Sequence, residues 1–315
     1  MTVNFIQPLS NAWNRMMTAL FKPFDLGKWF VAGFTAFLAG LMDSPVRGWG
    51  SGFHKKGRFE VDEFFNFLEP AKEWIAEHPE WFTLIALGII VAILLTILFI
   101  WISSRAKFMF LDNVLHNRGR VVKPWREFRD LGNSLFLWRL AFGVIVFLLS
   151  GSYVWYAFNT LRDMYYADAP DSSLISNAII LGAIFILLML VIVYIILFLD
   201  HFVVPIMYKR RQKAMVAWGH FLALFSSYRL HFLGYGIFVL FLFIVFSALV
   251  VISGLMTCCL GFVLLVIPYI SSVVTLPIAW IFRAFGVEFL EQFGSDFKLF
   301  PEEQEAPGID PLQEG

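Results

Sequence analysis

The sequence predicts an all-α membrane protein, a bundle of about six transmembrane helices with amphipathic helices at the membrane surface. The first of three observations is composition: of 315 residues, 59% are hydrophobic and 15% are charged. A soluble domain contains about 45–50% apolar and about 25% charged residues, so this composition points to lipid as the solvent. The second observation is a series of long apolar runs, and the third is an uneven distribution of basic residues among the loops. The net charge is zero, so no overall field favours nucleic acid as a partner.

Five apolar runs are long enough to cross the hydrocarbon layer, which takes about 20 helical residues. They are residues 81–102, 140–158, 174–199, 232–256 and 260–282. A sixth run, residues 26–42, is shorter and has Lys28 near its start, where a lysine side chain reaches the headgroups. We interpret this run as a span, with a re-entrant segment as the alternative.

Loop charges predict the orientation. Basic residues concentrate in the loops after the second and fourth spans: Arg105, Lys107, Arg118, Arg120, Lys123, Arg126 and Arg129, then Lys209, Arg210, Arg211, Lys213 and Arg229. The loop between the third and fourth spans contains Asp163, Asp168 and Asp171 with only Arg162. By the positive-inside rule the two basic loops are cytoplasmic. We therefore expect a multi-pass protein of the cell (inner) membrane with both termini in the cytoplasm.

Two surface helices and a disordered tail are predicted outside the spans. Near the N-terminus, apolar residues recur at helical spacing, which indicates an uncleaved interfacial helix: Trp13, Met16, Met17 and Leu20. The first loop shows the same spacing and predicts an amphipathic helix on the outer face: Phe64, Phe67, Leu68, Ala71, Trp74 and Ile75. Residues 301–315 are acidic and predict disorder.

The chain also contains an internal similarity at an offset of 93 residues. The offset pairs Trp125 with Trp218, Phe128 with Phe221, Leu131 with Leu224, Ser134 with Ser227, Arg118 with Arg211, Arg120 with Lys213 and Gly143 with Gly236. We predict one transmembrane domain over residues 1–300, built from three units of surface helix and hairpin that start near residues 5, 118 and 211. Chance similarity between aromatic-rich segments is the alternative. Repeated units in membrane proteins often surround a central site.

Ionisable residues beside the spans are functional candidates, because an unpaired charge at membrane depth is costly. Arg139 begins the third span, where an arginine that reaches the headgroups is the simpler interpretation. Asp200 and His201 follow a long apolar run and precede Pro205. We predict that Asp200 lies within the cytoplasmic leaflet and pairs with Arg139 or Arg229. A role for Asp200 in binding a substrate or a proton is the alternative.

The last span and the residues after it provide further candidates. Pro268 and Pro277 lie within the span, and each removes a helical hydrogen bond. The resulting broken helix shapes a cavity or a gate, or else it is a kink that only improves packing. Glu288, Glu291 and Asp296 predict a helix that docks on the basic loops.

Small residues recur at helical spacing on the first two spans. The six residues are Ala32, Ala36, Gly40, Gly88, Ala92 and Thr96. Such positions let helices approach closely in lipid. We expect them to bury the first hairpin against itself or its neighbours.

Three segments carry a resemblance to a known group. They are residues 23–30 (PFDLGKWF), 204–208 (VPIMY) and the stretch from 267–269 (IPY) through 289–294 (FLEQFG). On these segments the chain resembles uncharacterised six-span prokaryotic membrane proteins, similar to the membrane domain attached to some glycerophosphodiester phosphodiesterases. The resemblance implies the membrane architecture. It transfers no catalytic residue, and the phosphodiesterase domain itself has no place in these loops.

The sequence predicts a non-enzymatic membrane component that interacts with lipids or with a protein partner. Its basic loops suit anionic headgroups. The alternative is a transporter or channel for a small or lipid-like molecule that uses the repeat interface and the broken last helix. An intramembrane enzyme requires paired carboxylates, a His-rich metal site or a Ser/His pair, and no such motif is visible. We expect membrane lipids and either a protein partner or a second copy of the chain as partners, with no metal, cofactor or nucleic acid.

Overall fold

The computed structural model describes residues 3–42, 73–75, 77–167, 171–257 and 260–301. Within these ranges the chain forms helices and turns but no strand, which confirms the all-α class. A π segment joins α6 to α7, and a 3₁₀ turn (Ser295–Phe297) follows the last helix. The elements are α1 (Ile6–Phe21), α2 (Leu26–Ala39), α3 (Pro79–Leu115), α4 (Val122–Glu127), α5 (Arg129–Tyr166), α6 (Asp171–Phe198), the π segment (Leu199–Val203), α7 (Val204–Arg210), α8 (Ala214–Ser227), α9 (Arg229–Met256), α10 (Leu260–Val266), α11 (Pro268–Val274) and α12 (Leu276–Glu291).

Several of these helices are long and apolar enough to cross a membrane. In the described residues there are four: Pro79–Leu115, Arg129–Tyr166, Ser172–Arg210 and Arg229–Met256. A fifth is obtained if the bent pair α11 and α12 counts as one span. Helix α2 has 14 residues and is therefore about 21 Å long, less than the roughly 30 Å of a hydrocarbon core. The chain thus has the helices of a membrane protein, but the predicted count of six spans is not confirmed.

The last predicted span is broken at both of its prolines. Pro268 occupies the first turn of α11, and Pro277 occupies the first turn of α12, where the missing N–H costs no helical hydrogen bond. The axes of α11 and α12 differ in direction by 63°. Thr275 lies at the break, and its hydroxyl donates to the carbonyl of Ser271 at 2.7 Å. The break that the prolines predict is present.

The long helices change environment along their length. None of the most apolar stretch of α3 is buried, whereas nearly every residue from 103 to 115 is. The continuous helix that contains the π segment follows the same pattern, with its buried residues at positions 198–207. The core therefore gathers at the end of the molecule that contains the two basic loops. Arg105 and Lys107, assigned to a loop by the sequence pattern, lie instead on the buried part of α3.

Helix α1 packs along α12 and completes this core. Its buried face includes Ala12, Met16 and Leu20, while Trp13 is exposed. The predicted N-terminal amphipathic helix is therefore present.

The π segment also packs against α12, because Gly286 allows His201 to approach so closely that a Cβ added at Gly286 would lie 2.9 Å from His201 Nδ1.

The prediction for the small residues holds on α2 and fails on α3. On α2, Ala32 is buried, and Ala36 and Gly40 are partly buried. On α3, Ala92 is exposed, and a Cβ at Gly88 would meet no atom of the described residues within 4 Å.

The three-unit repeat is not confirmed: the surface helix of its second unit (α4) has six residues and that of its third unit (α8) has fourteen. Two predicted features lie wholly or largely outside the described residues. They are the surface helix of the first loop and the acidic tail after residue 301.

Candidate functional site

A buried ion pair joins α3 to the π segment. Lys107 Nζ donates a 2.7 Å hydrogen bond to Asp200 Oδ2 and lies 2.7 Å from Oδ1. The lysine side chain is 1% exposed and the aspartate side chain 16% exposed. Asp200 Oδ1 is within ion-pair distance of the ammonium but accepts no hydrogen bond from the described residues. Both carboxylate oxygens thus lie within 2.7 Å of the lysine ammonium.

In the π segment the backbone carbonyl of Asp200 lacks a helical hydrogen-bond donor, and an arginine side chain donates to it instead. Val204 N–H bonds to the carbonyl of Leu199, five residues back, instead of to Asp200. The next candidate donor for Asp200 is Pro205, which has no N–H. Arg283 of α12 supplies the missing donor: its Nη1 donates a 2.6 Å hydrogen bond to the backbone carbonyl oxygen of Asp200. A π segment inside an α-helix frequently marks a functional site.

Arg139 of α5 approaches the same region from the other side. Its Nη1 donates to the hydroxyls of Ser103 and Ser104 at 3.0 and 3.3 Å. Ser103 in turn donates to the carbonyl of Ala39 at the end of α2, at 2.8 Å. These contacts fix the guanidinium where α2, α3 and α5 meet.

His201 and Tyr235 form the third polar contact of the site. The Tyr235 hydroxyl lies 2.7 Å from His201 Nδ1. Tyr235 is fully buried, and its ring stacks on Phe285 with centroids 5.0 Å apart. Phe202 and Phe289 complete an aromatic cluster around it, with centroids at 4.9 and 4.5 Å. The rigid packing of these rings fixes the orientation of the imidazole.

Two cavities border Asp200. The larger, about 490 Å³, lies between α3, α5 and α6 and is apolar except at one end, where Arg139 and Asp200 line it. Its apolar walls include Ile100, Trp138, Phe142, Val146, Ile192 and Ile196. The smaller, about 200 Å³, lies between α2, α3, the π segment and α12. Its polar lining consists of Asp200, His201 and Arg283.

The structure changes the partner that the sequence predicted for Asp200. The hydrogen-bonded partner is Lys107, whereas Arg139 donates to the serines and lines the larger cavity together with Asp200. Arg229 is exposed at the start of α9 and is not part of the site, so that assignment was wrong. The sequence pattern missed Lys107 because it stands in a basic stretch that resembles a loop. One signal was present: Lys107 and Asp200 are 93 residues apart, the offset of the internal similarity.

The glutamates after the last span face α1 and the C-terminal segment. Glu288 accepts from Arg15 Nε at 2.5 Å and from Asn11 Nδ2 at 2.9 Å. Glu291 accepts from the backbone N–H groups of Leu299 and Phe300 at 2.6 and 2.8 Å. The predicted docking on the basic loops is therefore wrong for Glu288 and Glu291, whereas Asp296 lies 3.5 Å from Arg210 Nη2 of the second basic loop, as predicted.

A second buried polar cluster, which the sequence pattern also missed, lies nearer the basic loops. Asp112 of α3 accepts two hydrogen bonds from Arg118 Nη2 at 2.8 Å and one from the Tyr208 hydroxyl at 2.8 Å. This cluster borders neither cavity at Asp200. It joins α3 to α7, and we infer that its role is to stabilise the fold.

Among the described residues, no group of three or more His, Cys, Asp and Glu side chains is placed to bind a metal ion.

Within the described residues, these features are helices long and apolar enough to cross a membrane and a buried ionic cluster beside two cavities. The chain belongs to a protein family of unknown function, DUF7544, which it matches over residues 3–290. No curated protein and no solved structure matches the chain. The resemblance to the membrane domain attached to glycerophosphodiester phosphodiesterases is not tested by these comparisons and stays a prediction.

Proposed function

We propose that this chain is a non-enzymatic integral membrane protein that binds a membrane lipid in the larger cavity. The observation that carries the proposal is the form of that cavity, which is apolar along its walls and charged at one end. Its volume of about 490 Å³ falls in the usual range for small-ligand sites, about 300–1,000 Å³. An acyl chain suits the apolar walls, and a headgroup suits Arg139 and Asp200.

The position of the charged end agrees with the depth of a headgroup. Arg139 directly precedes the apolar stretch of α5 that starts at residue 140. The apolar lining residues of α5, Phe142 and Val146, follow it toward the middle of that stretch. The basic loops lie at the same end of the molecule, and each Lys or Arg near anionic headgroups contributes about 1 kcal/mol of membrane binding. We place this end in the cytoplasmic leaflet of the cell (inner) membrane.

Two glycines of α5 allow a matched test. Gly143 lines the larger cavity and Gly151 does not, and a Cβ at either would meet nothing within 4 Å. We expect Gly143→Leu to fill the cavity and to lower the amount of lipid that co-purifies and the thermal stabilisation by added lipid. Gly151→Leu adds the same bulk on the same helix and should leave both unchanged. Equal lipid content in the two variants would overturn the proposal.

Transport of a small or lipid-like molecule is the second candidate, and the smaller cavity favours it. Asp200 borders both cavities, and the smaller one extends to Ala279, two residues beyond Pro277 of the broken helix. A path between the cavities would pass the Lys107–Asp200 pair. Liposomes with a fluorescent phospholipid and an impermeant quencher measure movement between leaflets. If the chain transports lipid, Ala279→Leu should slow this movement while lipid binding persists. Wild-type protein that moves no lipid would exclude lipid transport.

A further inference from the structure

This inference concerns a second site and does not depend on the proposed lipid site. Two further cavities, of about 440 and about 230 Å³, border helix α1 at the end of the molecule that contains the core, and both are lined by Asn14, Arg15 and Phe300. We call the two together the α1 cleft. We infer that the α1 cleft binds a phosphate group from solution, either free or as part of a small phosphate ester, through the Arg15 guanidinium.

Arg15 is held in place by contacts that do not use its outer nitrogens. Its Nε donates a 2.5 Å hydrogen bond to Glu288 Oε1, and its Cζ lies 3.8 Å from the centre of the Phe300 ring. Glu288 is fixed in turn, because its Oε2 accepts from Asn11 Nδ2 at 2.9 Å. Neither Nη1 nor Nη2 of Arg15 donates to any of the described residues. A positioned guanidinium therefore brings four N–H donors to the cleft.

The donors suit a phosphate. The two Nη groups of a guanidinium bind two phosphate oxygens at once, in a planar fork that a lysine lacks. Asn14 is exposed, forms no hydrogen bond with the described residues and adds an amide donor to the lining of both cavities. Because Glu288 and Phe300 already order Arg15, binding of an anion costs little side-chain entropy there.

The charges of the lining determine which interaction supplies the affinity. Arg15 and Lys298 line the cavity of about 440 Å³ together with one carboxylate, that of Glu291. Glu291 Oε1 accepts hydrogen bonds from the backbone N–H groups of Leu299 and Phe300. Glu288 and Glu291 offset part of the positive charge. The affinity therefore depends on the directed hydrogen bonds of Arg15 more than on net charge.

The position of the α1 cleft favours a ligand from solution over a lipid headgroup. Leu115 lines the cavity of about 230 Å³, and the apolar run of α3 ends at Ile102. Leu115 therefore lies about 20 Å further along α3 than the end of that run. The headgroup layer adds only about 5–8 Å on each side of the hydrocarbon core. A lipid phosphate in that layer does not reach the cleft.

The test titrates the full-length protein, in phosphatidylcholine nanodiscs, with inorganic phosphate and measures the heat of binding. We expect saturable binding that Arg15→Lys weakens at least about tenfold, because lysine keeps the charge but loses the forked hydrogen bonds. Arg129→Gln is the control. It removes a basic side chain that is 66% exposed and lines neither cavity, so the affinity should not change.

A second variant decides the question if Arg15→Lys fails to fold. Asn14→Asp changes an exposed residue of nearly the same shape and places a negative charge beside the bound anion. Repulsion between two charges about 4 Å apart in water amounts to about 1 kcal/mol, so this variant should weaken phosphate binding about fivefold.

Four results would overturn the inference. The first is the absence of saturable binding, and the second is an equal loss of affinity in Arg15→Lys and Arg129→Gln, which would indicate general attraction by basic residues. The third is competition by phosphatidic acid added to the nanodiscs, which would mean that the cleft takes a lipid headgroup. In the sequence, Glu302 and Glu303 follow Pro301, which lines the cleft. Phosphate binding that appears only after Glu302→Gln and Glu303→Gln would mean that the cleft holds the chain's own acidic segment instead.

Discussion

The two parts of α3 belong to one continuous helix but lie in different surroundings. The most apolar 18-residue stretch of Pro79–Leu115 has no buried residue, whereas twelve of the thirteen residues from 103 to 115 are buried. The buried part is the more polar one, with Ser103, Lys107, Asp112 and Asn113 among its residues. Hydrophobicity along α3 therefore runs opposite to burial.

The difference is the one expected of a chain whose apolar stretches face lipid. In lipid, apolar side chains have no drive to leave the surface, because acyl chains are as apolar as leucine. Polar side chains at the edge of a membrane do need partners, and a protein core supplies them. The packed end holds the fold together through hydrogen bonds and aromatic packing, and we expect the exposed apolar stretches to contact lipid.

The largest expected effect tests on which side of the membrane the packed end lies. After replacement of Cys258 and Cys259 by serine, cysteine at Ala167, beyond α5, should react with an impermeant thiol reagent added from outside. Cysteine at Arg120, beside the packed end, should react only after the membrane is opened. Both positions are exposed, so the contrast should be all or none. The reverse pattern would place the packed end outside the cell.

The next largest effect concerns the buried ion pair. We expect Lys107→Met to lower the free energy of unfolding by about 3–5 kcal/mol, because it leaves Asp200 buried without its main partner. The pair of Arg211 and Glu127 is the control, at 2.6 Å but with both side chains more than a third exposed. Glu127→Gln should cost under about 1 kcal/mol. Unfolding in mixed micelles measures both, and similar losses would mean that the Lys107 site is open to water.

Two leucines of α3 sharpen the contrast within one helix. Leu111 is fully buried, and Leu94 is 60% exposed. Leu111→Ala should destabilise the protein by about 2–5 kcal/mol through the cavity it leaves. Leu94→Ala should cost under about 0.5 kcal/mol, because lipid fills the space. A comparable loss at Leu94 would indicate that this stretch packs against another protein surface, such as a second copy of the chain.

The smallest effect compares two glycines of α5. A Cβ at Gly132 would lie 2.6 Å from Arg105 Cγ and 3.1 Å from its Cα, while a Cβ at Gly151 would meet nothing within 4 Å. Gly132→Ala should therefore cost about 1–3 kcal/mol, since the backbone of Arg105 has to move. Gly151→Ala should be neutral or stabilise by up to about 1 kcal/mol through helix propensity. Thermal midpoints of the two variants check the difference, and equal midpoints would contradict the close contact of α3 with α5.

Apolar periodicity predicted the part of the fold that lipid determines. Helix class, the long apolar stretches and the break at Pro268 and Pro277 follow from local sequence, because each depends on residues within a few turns. Helix α2 was harder to interpret, since an apolar run does not reveal whether lipid or protein covers it. Its 14 residues pack on α3 and α11, and their length of about 21 Å is less than that of a hydrocarbon core.

The part of the site that could be predicted likewise depends on local sequence. Asp200 and His201 stand out because they interrupt an apolar run, which is a local signal. Lys107 stands in a basic stretch of ordinary appearance, and only the path of α3 past residue 103 turns it inward. Arg283 is needed because the π segment and Pro205 together leave the carbonyl of Asp200 without a backbone donor. A hydropathy pattern does not reveal this.

The π segment also affects the register between the two ends of its helix. Asn117 and Arg211, the left-handed residues that follow α3 and α7, stand one position further apart than Lys107 and Asp200 do. The five-residue hydrogen bond from Val204 to Leu199 accommodates one residue more than an α-turn. If the same residues formed a regular α-helix without this wider turn, the residues after 203 would be rotated by about 100° relative to those before 199. Either Asp200 would lose Lys107 or Tyr208 would lose Asp112, so the wider turn allows one helix to contribute to both clusters.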